Sequence, residues 1–173
     1  MAGIGFAIIL CLAAIGSLYW VMPSRRDKNL ALLRSHAMQQ SLRVRLLDVS
    51  LMQNCFKWLK DHRGWVLYEL HTPLITKNSD AFKPFSLRLS PHDSVHDSDF
   101  DQAYAQQLAP DLTWPPNAEA LLFHTGGVSL LWNERFDVPS ELKDAEVAEL
   151  MVRVKENLKQ CAALAVRVKP WVG

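Results

Sequence analysis

Cysteine is scarce: Cys11, Cys55 and Cys161 are too few for the disulfide framework of a small secreted domain and form no zinc-ligand spacing. Charge is missing altogether before Arg25, and Lys and Arg are missing from Leu89 to Glu134. His124-Thr125-Gly126-Gly127 lacks the Lys-Ser/Thr ending of a phosphate-binding loop. Arg43 and Arg45 form a small basic face with no RNP-type aromatic motif beside it, so nucleic acid is not an expected partner. No nucleophile motif surrounds any cysteine. Cys55 with His62 or His71, or Cys161 with His124, are the pairings that thiol chemistry would need, and Cys161 falls on an apolar stripe where a small buried residue is expected. Neither an enzymatic activity nor a cofactor is expected.

What the first 24 residues do contain is an unbroken apolar run from Ile4 to Met22, 19 residues long. At about 1.5 Å per residue it reaches across a hydrocarbon core of roughly 30 Å. Ile4, Phe6, Ile8, Ile9, Leu10, Leu12, Ile15 and Leu18 supply its apolar surface. Tyr19 and Trp20 fall at the exit, where amphipathic rings favour the headgroup level, and Arg25, Arg26 and Lys28 follow Pro23. A cleaved signal peptide is the competing reading, with small residues at Ala14-Ile15-Gly16. Against cleavage, no base precedes the run, and the run continues past that site to Met22. Residues 1–24 are therefore expected to be an uncleaved single-pass anchor. All nearby bases lie on its carboxyl side, which orients the remainder of the chain toward the cytoplasm.

Charge beyond the anchor is polarised. From Arg25 to Arg88 there are 12 Lys/Arg against 5 Asp/Glu; from Leu89 to Glu134 there are 7 acids and no base. The juxtamembrane bases would be drawn to anionic lipid by about 1 kcal/mol each, fading over a Debye length of about 8–10 Å. The remaining stretch, on the order of 150 residues, is enough for one hydrophobic core. The expected division is an anchor at 1–24, a juxtamembrane basic helix at 25–41, and one soluble α+β domain at 42–173.

Leu30, Leu33 and Ala37 recur at helical spacing after a Ser24 cap. Leu42-Arg-Val-Arg-Leu46 alternates strictly, which predicts a half-buried strand with Leu42, Val44 and Leu46 inward. Residues 49–62 read as a short helix without firm bounds. Trp65–Leu70 and Phe85–Leu89 read as strands. Ala120–Thr125 and Val128–Trp132 flank Gly126-Gly127, which predicts a hairpin with both glycines at the positive-φ positions of a primed two-residue turn. Valine at either glycine is then expected to cost on the order of 1–3 kcal/mol. From Pro139-Ser140 to about residue 165, Val147, Met151, Val154, Leu158, Cys161 and Ala165 make one helical stripe. The whole predicts an α+β fold: an amino-terminal transmembrane helix, a mainly antiparallel sheet and a carboxyl-terminal helix packed on it.

His92, Asp93, His96 and Asp97 are the one grouping with metal-ligand chemistry, since two His at i,i+4 share a helix face. Pro91 favours a loop there, no second cluster supplies further ligands, and the Asp97-x-Asp99-x-Asp101 spacing lacks the Gly and bidentate Glu of a calcium loop. No metal site is expected, and a membrane-tethered hydrolase or metal-dependent enzyme using this segment is the alternative.

The span, Pro23-Ser24-Arg25-Arg26-Asp27-Lys28, a short helix and the strand at 42–46 are together similar in layout to YajC, the small accessory subunit of the bacterial protein-export translocon. The likeness covers about 45 residues, and Gln40-Ser41 stands where that family has Gly-Asp before its strand. The resemblance implies a bacterial inner-membrane setting and, as a further alternative, an accessory role in protein export. The leading expectation is a non-enzymatic interaction protein whose partners are the bilayer and another membrane protein.

Overall fold

The computed structural model of the chain describes residues 23–61, 63–72, 84–89, 112–134 and 142–168, together with Gly5, Leu12, Ala13 and Gly16. Those four isolated residues are helical. The rest of the expected span lies outside the described residues, and among the described residues no helix is long and apolar enough to cross a membrane.

Helix α1 (Arg25–Gln39) starts at a capping box: the Ser24 hydroxyl accepts the Asp27 N–H at 3.1 Å, and the Asp27 carboxylate accepts the Ser24 N–H at 3.1 Å. Two of its orphan amides are thereby satisfied. It ends in a Schellman arrangement, with Ser41 N–H donating to Met38 O and Leu42 N–H to Ala37 O. Ser41 takes the left-handed conformation, φ 62°, that glycine usually fills, so the chain turns sharply without one.

Strand β1 (Arg43–Leu46) follows, then helix α2 (Val49–Cys55), β2 (Trp65–His71), β3 (Phe85–Arg88), β4 (Ala118–His124), β5 (Gly127–Asn133) and helix α3 (Asp144–Val168). The strands form one antiparallel sheet in the order β1-β2-β5-β4-β3. Strands β2 and β5 are buried along almost their whole length, which explains why they read as continuous apolar runs.

One face carries Val66, Tyr68, Leu70, Leu121, Phe123, Val128, Leu130 and Trp132 against α1 and α3. The expected stripe of α3 is all here: Val147, Met151, Val154, Leu158, Cys161 and Ala165 are at most 1 % exposed. Each fully buried Val, Leu or Met side chain contributes roughly 1.5–3 kcal/mol, so this stripe is the main reason that α3 stays on the sheet. Leu33 and Ala37 of α1 are fully buried in the same cluster. Helix α1 is thus packed on the domain through Leu33 and Ala37, beside the stripe of α3.

The opposite face is only partly covered. Leu67, Leu131, Ala120 and Leu122 pack under Leu47 and Phe56, while no residue of α2 itself is buried. Leu42 and Val44 point inward as expected, but Leu46 is 69 % exposed, and Leu47 takes the inward place on the other side. The alternation ends there because the chain leaves the sheet edge to enter α2, whose cap is the Asp48 carboxylate accepting the Leu51 N–H at 2.7 Å.

Candidate functional site

Alternation along the strands sends Glu69 and His71 of β2, Gly127 and Ser129 of β5 and His124 of β4 to the incompletely covered face. They lie side by side: Glu69 pairs with Ser129, and Gly127 pairs with both His71 and His124. Glu69 and Ser129 are buried at 7 % and 2 % exposure. His124 Nδ1 lies 3.2 Å from the Gly126 N–H, which donates to it. The neutral ring therefore carries its proton on Nε2, which is 3.1 Å from Ser129 Oγ and 3.6 Å from Glu69 Oε1. Burial lowers the His124 pKa below the ordinary value of 6.5; the Glu69 carboxylate opposes this, and Arg45 and His71 reinforce it.

Serine, histidine and glutamate in contact invite comparison with a nucleophilic triad, but the wiring differs. A nucleophilic serine needs a ring nitrogen free to take its proton, with the acid on the other nitrogen. Here Ser129 and Glu69 share Nε2, and Nδ1 is filled by a backbone amide of the adjacent turn. The cluster ties three strands together and fixes the imidazole over the hairpin.

That hairpin departs from the expected one by a residue. His124 pairs with Gly127, so the central pair is Thr125-Gly126, and neither has positive φ. Gly127 is the first residue of β5, with φ 150°, and it is there for a close approach: a Cβ on it would fall 2.0 Å from Leu70 O and 2.9 Å from Thr72 N. Gly126 meets only the His124 ring, at 3.2 Å. The two-residue spacing was legible in the sequence. The position of the clash was not, because it comes from Leu70 of β2, 57 residues earlier in the chain.

A second buried polar group joins α1 to the sheet. Glu134, directly after β5 and 5 % exposed, accepts from Arg34 through Nε at 3.1 Å and through an η nitrogen at 2.5 Å, and from the Tyr68 hydroxyl. The Glu134 hydrogen bonds raise the Arg34 pKa further, while burial above all, with the Glu134 charge, pushes the Tyr68 hydroxyl well above the usual phenol range. Both keep their protons and stay donors. The His36 ring meets the Asp144 carboxylate at 2.9 Å, and Leu142 N–H donates to Asn29 Oδ1 at 3.3 Å, binding α1 to the start of α3.

Arg25, Arg26 and Lys28 are exposed in the first turn of α1. His92, Asp93, His96 and Asp97 lie outside the described residues, as do His62 and most of the expected anchor. Among the described residues, no three His, Cys, Asp or Glu side chains are grouped as metal ligands. Cys161 is in the helical core and its thiol is pushed up to about 12 by burial; His124, next to core residue Phe123, points to the opposite face, so the two never meet. Cys55 is half-buried and its thiol is raised by burial. Glu69, Glu134 and Arg34 were not among the expected site residues. An acid inside or ending an otherwise apolar strand was the available signal, since a carboxylate there must find a partner.

No protein-family model, curated protein or solved structure matches the chain.

Proposed function

We propose that this chain is a non-enzymatic, membrane-tethered accessory protein, whose α+β domain is held at the cytoplasmic face of a bacterial inner membrane to engage another membrane protein. The observation that carries the reading is the junction at Pro23. The charge-free apolar run ends there, the capping box at Ser24 and Asp27 starts α1 immediately, and α1 is gripped by the core through Leu33, Ala37 and the Arg34–Glu134 fork. Tied in this way, α1 holds Ser24 at a fixed place relative to the sheet. Exposed Arg25, Arg26 and Lys28 at the exit support the cytoplasmic orientation. The likeness in layout to YajC-type subunits fits the same setting.

Fusing reporters to the carboxyl terminus of the full chain tests this. A reporter that works only in the cytoplasm is expected to be active and a periplasm-only reporter silent. The reverse pattern, or a mature protein starting near Ser17, defeats the proposal. Co-purification from detergent-solubilised membranes then identifies the partner.

A further inference from the structure

We propose that β1 is a docking edge for an extended acidic segment of a partner protein, which joins the sheet there as a further antiparallel strand. The inference deepens the accessory reading above by giving the partner a chemistry. The two edge strands of the sheet, β1 and β3, differ in what they offer. On β3, Ser86 Oγ donates to Cys55 O and the Arg88 guanidinium lies 4.3 Å over the Trp58 ring, so the polar side chains of that edge are engaged by the domain. On β1, Arg43, Arg45 and Leu46 are exposed, and no strand pairs with its outer side among the described residues. An uncovered edge of this kind accepts an added strand through its backbone.

The register fixes which backbone groups face outward. Leu47 N–H donates to Trp65 O, and hydrogen-bonded pairs recur at every second residue of an antiparallel ladder. Arg43 and Arg45 therefore direct their N–H and C=O to Glu69 and Leu67, while Val44 and Leu46 turn theirs away from β2. The other side of β2 has the matching parity. Thr72 N–H donates to Gly126 O, which assigns the bonds of Val66, Tyr68 and Leu70 to β5 and leaves those of Leu67 and Glu69 for β1. A strand laid antiparallel along β1 bonds to Val44 and Leu46. Its residues opposite Arg43 and Arg45 then fall in the narrow non-hydrogen-bonded pairs, where Cα atoms are about 4.5 Å apart and side chains lie closest.

Side chains decide which strand fits. Arg43 and Arg45 share one face of β1, with Glu69 and Leu67 across from them on β2. Glu69 is 7 % exposed and its carboxylate meets His124 Nε2 at 3.6 Å, so one buried acid stands against two exposed guanidiniums and the edge stays positive. An acid directly opposite each arginine is favourable, and a base there is unfavourable. On the other face Leu46 is 69 % exposed and Val44 is half-buried, which suits apolar residues at the two hydrogen-bonded positions. The fitting segment therefore alternates acidic and apolar residues. A second copy of β1 brings arginines to the same places and does not fit.

The test titrates the full chain, in dodecyl maltoside micelles, with a short end-blocked peptide of alternating glutamate and valine. Peptide binding is read by fluorescence anisotropy, and hydrogen exchange at the Val44 and Leu46 amides by nuclear magnetic resonance. The peptide is expected to bind and to slow exchange at both amides by about tenfold or more. N-methylation of its valines, which removes the donors to β1, should abolish binding, whereas N-methylation of its glutamates should leave it. Arg43→Gln with Arg45→Gln should weaken binding by about fivefold or more at an unchanged melting temperature. Equal binding of a lysine-for-glutamate peptide or of the N-methylvaline peptide overturns the proposal. So does unchanged exchange at Val44 and Leu46 under millimolar peptide, or slow exchange that needs no peptide and grows with protein concentration, the mark of a second copy. Peptide variants leave the protein untouched, so these outcomes stand even where the arginine variant fails to fold. No bilayer enters the assay, and its failure is therefore distinct from a failure of the reporter fusions that test tethering.

Discussion

At Gly127 the missing side chain matters more than any side chain near it, because β2 and the start of β5 approach so closely that a single methyl group would collide with Leu70 O. Gly127→Ala should therefore lose about 3 kcal/mol or more of stability, through backbone displacement and an unfavourable φ. Gly126→Ala asks only the His124 ring to move by a few tenths of an ångström and should cost under about 1 kcal/mol. Urea unfolding of the two variants separates these outcomes; equal losses would mean that β2 does not press on Gly127. His124 adds a pH dependence whose sign is fixed by its burial. Its folded pKa is lower than its unfolded one, so the unfolded chain binds more protons, and stability is present above 6.5 and lost as pH falls below it. Protonation at Nδ1 would also break the Gly126 hydrogen bond. Glu69, Arg45 and His71 face the ring and set the size of the effect. Between about pH 7 and pH 5, the melting temperature of the natural chain should fall more than that of His124→Gln. Parallel curves would assign the loss to other histidines.

Helices and strands were legible where one period ruled a whole segment. The α3 stripe repeats at helical spacing and is buried at every expected position, and the antiparallel hairpin follows from two apolar runs with a two-residue gap. Legibility failed where an element's surroundings decide. Leu46 fits its strand pattern as well as Leu42 does, yet it overhangs the sheet edge, and no local pattern records where the covering helix stops. Helix α1 reads from the sequence as a basic helix beside the membrane because just two of its residues, Leu33 and Ala37, are buried, and the tie that adds to their packing comes from Glu134, 100 residues away from Arg34. The polar cluster was hidden for the same reason, since Glu69, His124 and Ser129 meet only through strand pairing. Truncation tests the role of α1. Removing residues 1–22 leaves the capping box intact and should give a cooperative thermal transition by circular dichroism. Removing residues 1–41 takes away Leu33, Arg34 and Ala37 and should abolish it, whereas a cooperative melt of the shorter chain would show that α1 is dispensable.

For the molecule as a whole, the two sheet faces differ: the larger apolar cluster lies under α1 and α3, and the other face combines a smaller apolar cluster around Phe56 with the buried polar side chains Glu69 and Ser129. The ties of α1 to the sheet and to α3 leave little freedom between the start of α1 at Arg25 and the rest of the domain. The sheet order places β1 at an edge, with no strand paired to its outer side among the described residues. Arg43 and Arg45 are exposed there, two residues apart. Two molecules meeting edge to edge would bring four guanidinium groups together before the first backbone hydrogen bond could form. Like charges so placed disfavour edge-to-edge pairing of two copies through this short strand.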